Sequence, residues 1–225
     1  MSAPQPHRSG TTYLLTRRVA KRHLRLIERS GKKMAVLFRY AVGSAQSKHD
    51  VAVHSLCVMG NHWHAVVTDN QGNIPDFARD VHSLIGRALN AHDDESDGLW
   101  DKRQTNYLAI ESEADTWRYL TYVATNPVQA LLVKTCHDYP GLVTRPGQTA
   151  RTTKAPRPQT GFFKRSRMPE METLTLTIPP ALSHLTPTNF RAELARQVAL
   201  EETRLQAKAK ADGKTYIGPR ALLRT

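Results

Sequence analysis

The stretch Met59-Gly-Asn-His-Trp-His-Ala-Val-Val-Thr68 places His62 and His64 on either side of Trp63. Its Val-Val-Thr end is typical of a β-strand, and side chains on a strand alternate between its two faces. Both imidazoles therefore point one way, while Trp63 points the other way, into a core. Two imidazoles on one face can hold a metal ion, although an isolated pair of this kind more often forms only the polar face of an amphipathic strand.

The elements around this stretch indicate its place in a sheet. Asp50 to Cys57 also has strand composition, and the turn-prone Met-Gly-Asn segment joins it to His62–Thr68 as a β-hairpin. Periodicity and composition predict strands over 11–20 and 106–110, and helices over 34–46, from 75 to 89 and over 114–125. This order is the ferredoxin-like split βαβ pattern with one more helix. The predicted fold is therefore α+β, with an antiparallel sheet and helices on one face.

The composition changes after residue 143. Residues 144–170 are rich in Thr, Pro, Arg and Lys, which predicts a basic linker with little to bury. A period-two strand over Thr173–Ile178 and a helical apolar spacing from Phe190 to Leu205 follow it. We divide the chain into a core domain at 1–143, this linker at 144–170 and a basic strand–helix extension at 171–225.

The charge of the chain points to nucleic acid. The formal net charge is +12 and the pI about 10.0, which suits a phosphate-binding protein, although a merely soluble basic protein is the alternative. Residues 151–225 hold 14 basic and 6 acidic residues, against 18 and 14 in residues 1–150. We therefore predict that this C-terminal segment is an arm that binds DNA. The alternative is a basic tail whose helix only packs on the core. The candidate DNA-binding residues are Arg17, Arg18, Lys21, Arg22, Lys164, Arg165 and Arg167.

Other classes of protein fit less well. No apolar run approaches the roughly 20 residues that cross a bilayer, and the first residues lack the apolar core of a secretory signal, so we expect a cytoplasmic protein without a membrane partner. Cys57 and Cys136 make no disulfide framework. Cys57 is expected to be a small buried residue, with a zinc site of Cys57, His62 and His64 as the lesser alternative.

A candidate nucleophile lies in the last predicted helix of the core. Tyr122 and Asn126 are four residues apart, which places a phenol and an amide on one helix face. Asn126 precedes Pro127, however, so it could instead be the N-cap of a further helix, and the residue before proline is steered out of the α region. Both interpretations of Asn126 stay open, and Tyr119 competes with Tyr122 as the nucleophile.

Two separated motifs carry a family resemblance. Met-Gly-Asn-His-Trp-His at 59–64, then Trp100, then Tyr-Val-Ala-Thr-Asn-Pro-Val at 122–128 followed by Ala130 and Leu132-Val133, resemble the REP-associated tyrosine transposases. These are a bacterial branch of the single-tyrosine HUH transposases. The similarity covers about residues 11 to 143.

The resemblance implies a metal-assisted transesterification on single-stranded DNA. His62 and His64 would hold Mg²⁺ or Mn²⁺, with Asn126 as the third ligand, and Tyr122 would attack the scissile phosphate to give a 5′-phosphotyrosine and a free 3′-hydroxyl. The partner would be a REP-like palindrome folded as a hairpin with a short guide sequence. Relatives act as monomers or as homodimers, and the sequence favours neither state.

The chain departs from its relatives after the tyrosine motif. Where they commonly show Asn-Pro-Val-Arg-Ala-Gly-Leu-Val, this chain has Gln129 and Leu131, so a cation that could touch DNA and a glycine that could supply a left-handed turn are both lost. Histidine-triad hydrolases need a further histidine where Val66 stands. His54 and His82 are expected to be structural, or to form hydrogen bonds near the site, rather than to bind a metal ion. The serious alternative is a domesticated, catalytically inactive protein that binds DNA hairpins.

Overall fold

The computed structural model describes residues 7–27, 33–94, 97–159, 162–163 and 168–222. The strands are β1 (Thr11–Arg18), β2 (Val51–Val58), β3 (His62–Asp69), β4 (Asn106–Ile110), β5 (Arg151–Pro156) and β6 (Met171–Leu176). The helices are α1 (Met34–His49), α2 (Ile74–Asp93), α3 (Glu113–Gln129), α4 (Pro187–Ala211) and the short α5 (Pro219–Leu222). Among the described residues, no helix is long and apolar enough to cross a membrane.

The six strands form one sheet in the order β4-β1-β3-β2-β6-β5. The first four are antiparallel to their neighbours, and their order together with the crossover helices α1 and α2 is the ferredoxin-like arrangement that the sequence predicts. β6 then adds to β2 in parallel, and β5 pairs with β6 in antiparallel register. The sheet is therefore mixed, because the C-terminal part of the chain extends it.

Helices cover both faces of the sheet. Trp63, Ala65 and Val67 of β3 point into a core with α1 and α2, as expected for the split βαβ unit. Val66 points the other way, into a second core with residues of α3 and α4. The sequence predicts helices on one face of the sheet only. Helices α1 and α2 do share one face, but α3 and α4 cover the other face. β3 is apolar or buried on both sides, so each side needs its own cover.

The prediction of a linker over residues 144–170 is wrong at Arg151–Pro156, because these residues form β5. The Arg-Thr-Thr-Lys-Ala-Pro sequence of β5 has the composition of a linker, but an edge strand tolerates polar side chains and a terminal proline. Ala155 is fully buried in the first core, and the buried Arg157 donates a hydrogen bond to the carbonyl of Met168 at 2.5 Å. Strands β5 and β6, which lie after residue 143, thus belong to the same sheet as β1 to β4.

The long helix α4 packs on α3. Phe190, Leu194 and Val198 are buried in the second core, and the Phe190 ring stacks on Trp117 at 5.5 Å between centroids. The packing that we considered as an alternative for this basic segment is therefore confirmed, while DNA contact by it stays a prediction. Truncation after Val143 would strip this layer from the core, so point substitutions are the cleaner test of DNA binding.

Helix α3 continues through its proline. It begins after Ser112, whose hydroxyl accepts the backbone N–H of Asp115 at 3.0 Å, and it ends only at Gln129, beyond the expected end at residue 125. Pro127 cannot donate to the preceding turn, but the helix resumes with Ala130 N–H bonding to the carbonyl of Asn126 at 3.0 Å. Asn126 therefore lies inside a helix, and its interpretation as an N-cap is wrong.

The second residue after α3, Leu131, has a left-handed backbone although it is not glycine. Leu131 has φ of +59°, the conformation for which its relatives' glycine would be suited. We expect Leu131→Gly to raise the free energy of unfolding by about 1 kcal/mol. The left-handed backbone conformation costs an L-residue about 1–2 kcal/mol, and glycine adopts it without this cost. The melting temperature should rise by about 2–4 °C. Leu200→Gly, at an exposed position inside α4, is the matched control and should lower it; a similar loss in both variants would contradict the prediction.

Two buried histidines are held by hydrogen bonds within the fold. His54 Nδ1 lies 3.0 Å from the carbonyl of Thr177, and its Nε2 lies 2.8 Å from Thr68 Oγ1. His82 Nε2 accepts a hydrogen bond from Trp63 Nε1 at 3.2 Å. The expectation that these two histidines are structural is confirmed.

These histidines predict a loss of stability in acid. Burial lowers the pKa of His54 to about 4 and that of His82 to about 3, so both are neutral in the folded protein. In the unfolded chain they titrate near pH 6.5, so below that pH the unfolded state binds more protons and stability falls. From about pH 7.5 to about pH 5, each should cost about 2 kcal/mol in urea unfolding. His82→Gln should remove its share of this dependence and the exposed His184→Gln should not; equal pH dependence in all three proteins would refute the cause.

Candidate active site

Strand β3 carries the two histidines, and the Nδ1 atom of each has a hydrogen-bond partner outside that strand. His64 Nδ1 lies 2.8 Å from Thr16 Oγ1, and His62 Nδ1 lies 2.7 Å from Asn61 Oδ1. The two imidazole centroids are 4.9 Å apart. Because each Nδ1 already has a partner, the Nε2 atoms are the ones left for a ligand.

Helix α3 brings the tyrosine to these histidines. The Tyr122 hydroxyl lies 3.4 Å from His64 Nε2, and the edges of the two rings meet with centroids 5.3 Å apart. One turn further along α3, the buried Asn126 side chain lies beside both His62 and Tyr122, and it opposes the effect of burial on the pKa of each. The structure therefore brings together all four residues that the sequence predicts for the catalytic and metal site.

The electrostatics favour neutral histidines and a protonated phenol. Burial, followed by the neighbouring His62 and Arg18, lowers the pKa of His64 to about 3. Burial also lowers the pKa of His62, an effect that Arg18 increases and the hydrogen bond with Asn126 offsets. Burial raises the pKa of Tyr122, while the hydrogen bond with Asn126 acts against this. Neutral imidazoles are the form that binds metal ions, and a buried phenol needs activation before it can attack.

Arg18 is the predicted DNA-binding residue that lies nearest to the histidines. In the antiparallel register of β1 and β3, Thr16 is opposite His64 and Arg18 is opposite His62, so all four share one face. Arg18 is exposed, and within the described parts of the chain it makes no ion pair. It is therefore placed to meet an anionic group that approaches the histidines.

Arg17 lies on the opposite face of β1. It pairs in register with Trp63, is partly buried, and donates a hydrogen bond to the carbonyl of Arg103. Burial lowers its pKa, which Tyr107 and Asp101 partly offset. Of the two neighbouring arginines that the sequence predicts to bind DNA, the structure brings only Arg18 to the candidate site.

The remaining predicted cations divide into two groups. Lys21 and Arg22 are exposed in the turn after β1, both with left-handed backbone, and the Arg22 carbonyl accepts a hydrogen bond from Asn61 at 3.3 Å. This turn therefore adjoins the His62 end of β3. Lys164, Arg165 and Arg167 lie outside the described residues.

The alternative sites from the sequence are not formed. Cys57 is opposite His64 in the strand register, but it is fully buried in the second core, and burial raises the pKa of its thiol, so it stays protonated. Among the described residues, no three His, Cys, Asp or Glu side chains are grouped to hold a metal ion. This excludes the zinc site of Cys57 with the two histidines.

The competing nucleophile Tyr119 contacts an arginine. The Tyr119 hydroxyl accepts a hydrogen bond from Arg118 at 2.8 Å, and the Arg118 guanidinium lies over its ring.

Sequence reasoning missed the two residues that orient the imidazoles. Thr16 lies 48 positions before His64, and its role appears only when β1 pairs with β3. Asn61 is part of the quoted motif, where its composition indicates only a turn. The sequence still contains a signal for each residue. Thr16 faces a histidine on the neighbouring strand and Asn61 precedes one in the chain, and both positions suit a partner of Nδ1.

Comparison with solved structures finds a chain of similar fold. One match is a REP-associated tyrosine transposase bound to a REP hairpin, with a TM-score of 0.52 and 17% sequence identity over 63% of this chain and 81% of that chain. Another is a protein of Deinococcus radiodurans R1 proposed to be a transposase, with a TM-score of 0.38 and 18% identity over 55% of this chain and 95% of that chain. No family model and no curated protein matches the sequence. The chain therefore has the REP-associated tyrosine transposase fold that its motifs predict.

Proposed function

We propose that this protein is a metal-dependent endonuclease and transposase that cleaves and rejoins single-stranded DNA at hairpins. The observation that supports this best is the distance of 3.4 Å between the Tyr122 hydroxyl and His64 Nε2. It unites a nucleophile and a candidate metal ligand that lie 58 positions apart in the chain. The match to a transposase bound to a REP hairpin supports the same class of substrate, a REP-like palindrome.

The proposed reaction is a transesterification. The Tyr122 oxygen forms a bond to the scissile phosphorus as the bond from phosphorus to the 3′ oxygen breaks. The phenol loses its proton, and the departing 3′ oxygen gains one. A 5′-phosphotyrosine and a free 3′-hydroxyl result, and the reverse reaction rejoins the strand. Arg18, on the same face, would neutralise part of the phosphate charge.

The residues of the site fit a divalent cation. His62 and His64 offer neutral imidazoles whose Nδ1 atoms are already engaged, and Asn126 adds an amide between His62 and Tyr122. Nitrogen ligands make Mn²⁺ as suitable as Mg²⁺. When bound there, the ion would polarise the phosphate and stabilise the charge that develops in the transition state. Water and phosphate oxygens would complete its coordination.

Covalent capture tests the function. The full-length protein is incubated with a hairpin oligonucleotide that carries single-stranded flanks and a label at its 3′ end, with Mg²⁺ or Mn²⁺, and is then denatured. The proposed polarity transfers the 3′ label to the protein, while a label at the 5′ end appears on a shorter free strand. Chelator should prevent both. Hairpin binding without any adduct would instead support the inactive, domesticated binder.

Arg18 supplies a separate prediction about affinity. Arg18→Gln should weaken hairpin binding and reduce the slope of log affinity against log salt by about 1, because one phosphate contact is lost. Arg79→Gln is the matched control, since Arg79 is exposed on α2 and paired with Asp76 at 2.5 Å, on the other face of the sheet. Fluorescence anisotropy at several salt concentrations measures both slopes. If Arg18→Gln and Arg79→Gln have the wild-type slope, Arg18 contacts no phosphate.

A further inference from the structure

A cleft of about 760 Å³ lies between α3 and α4, directly beside Tyr122. Thr121, Tyr122 and Gln129 line it from α3, and Gln197 and Leu200 line it from α4. This volume falls within the range of about 300–1,000 Å³ that is usual for small-molecule sites. Any DNA strand that presents a phosphate to Tyr122 passes next to this cleft.

The arginines of the cleft already have acidic partners. Each lies three residues from a carboxylate on its own helix, in the pairs Arg118–Asp115 at 2.8 Å, Arg196–Glu193 at 2.7 Å and Arg204–Glu201 at 2.7 Å. Local neutralisation of this kind leaves little net attraction for a phosphate. The cleft is therefore better suited to an uncharged group with hydrogen-bonding edges.

The remaining groups of the cleft match the parts of a nucleobase. Gln197 donates one amide N–H to Glu193 at 2.9 Å, which leaves its other N–H as a donor and its oxygen as an acceptor. Gln129 is exposed and carries both donors and an acceptor. The Thr121 hydroxyl is buried and has no hydrogen-bond partner among the described residues. Leu200 is 59% exposed and offers an apolar surface for the face of a base.

We propose that this cleft binds one nucleotide next to the scissile phosphate and that Gln129 and Gln197 recognise its base. The proposal rests on the proposed function, since it takes single-stranded DNA as the substrate. Single-stranded bases are commonly recognised by amides on their hydrogen-bonding edges and by packing on their faces. A glutamine amide bonds bidentately to adenine, accepting from its amino group and donating to a ring nitrogen, so the cleft should prefer adenine over thymine.

The test uses hairpin oligonucleotides in which each of the nucleotides flanking the cleavage site is randomised. Sequencing of the strands captured by the wild-type protein should show a preference for adenine over thymine of about tenfold at one flanking position. Gln129→Ala and Gln197→Ala should each reduce this preference severalfold at that same position. Gln206→Ala is the matched control, because Gln206 is also on α4 but lies outside the cleft and bonds to the carbonyl of Lys134.

A second selection separates this proposal from the proposed function. Tyr122→Phe protein cannot form the adduct, so strands retained by it report binding alone. If the wild-type protein forms no adduct but the strands retained by Tyr122→Phe show the expected base preference, the cleavage proposal fails and the cleft proposal stands. If both selections keep their base preference after Gln129→Ala and Gln197→Ala, or show no preference at all, the cleft does not recognise a base and the proposal is overturned.

Discussion

Tyr122→Phe is expected to reduce the covalent protein–DNA adduct by at least about a thousandfold while hairpin binding remains. The substitution removes only the hydroxyl, which lies 3.4 Å from His64 Nε2, and it keeps the ring that meets the His64 ring edge at 5.3 Å between centroids. Folding should therefore survive. The adduct is quantified by denaturing electrophoresis with a 3′-labelled hairpin, and binding by anisotropy.

Tyr119→Phe is the matched control for this experiment. Tyr119 lies three residues earlier on α3, and its hydroxyl accepts a hydrogen bond from Arg118 and is not among the contacts of the histidines. The Tyr119→Phe protein should form the adduct at the wild-type level. An undiminished adduct in Tyr122→Phe together with its loss in Tyr119→Phe would transfer the nucleophile to Tyr119.

Local patterns predicted the parts of the fold that bury a regular face. Alternation along β3 correctly placed Trp63 against α1 and α2 and the histidines on the opposite face. The apolar spacing from Phe77 to Leu89 identified α2, because a helix that packs one face repeats every three to four residues. The four-residue spacing of Tyr122 and Asn126 placed both on one face of α3.

The errors fall where tertiary pairing overrides local preference. Edge strand β5 has a polar sequence that would be unstable alone, and it forms because β6 pairs with it. Pro127 would end an isolated helix, yet α3 continues because Val123, Ala124 and Val128 are buried in the second core. Leu131 likewise adopts the backbone of a glycine, where Ile217 N–H bonds to its carbonyl at 3.0 Å.

The site shows the same division between local and distant information. The imidazole pair is visible in six consecutive residues, but its orientation depends on Thr16 of β1, which only the strand register identifies. Charge counts selected Arg17 and Arg18 together, whereas the alternation of β1 sends them to opposite faces. Net charge is a property of composition, so it indicates a partner class without stating which cations meet that partner.

His64→Ala is expected to lower cleavage in Mg²⁺ or Mn²⁺ by at least about a hundredfold, because a ligand is lost outright, while hairpin affinity stays within a few fold of wild type. Phosphate contacts come mainly from Lys and Arg, so the catalytic ion contributes little to binding. Thr16→Val is a milder variant of the same site. It keeps the His64 imidazole but removes the hydrogen-bond partner of Nδ1 at 2.8 Å. Metal affinity should therefore fall by about 10–100-fold. Excess metal should therefore restore cleavage in Thr16→Val and fail to restore it in His64→Ala. Full cleavage by the wild-type protein in excess chelator would refute the metal site altogether.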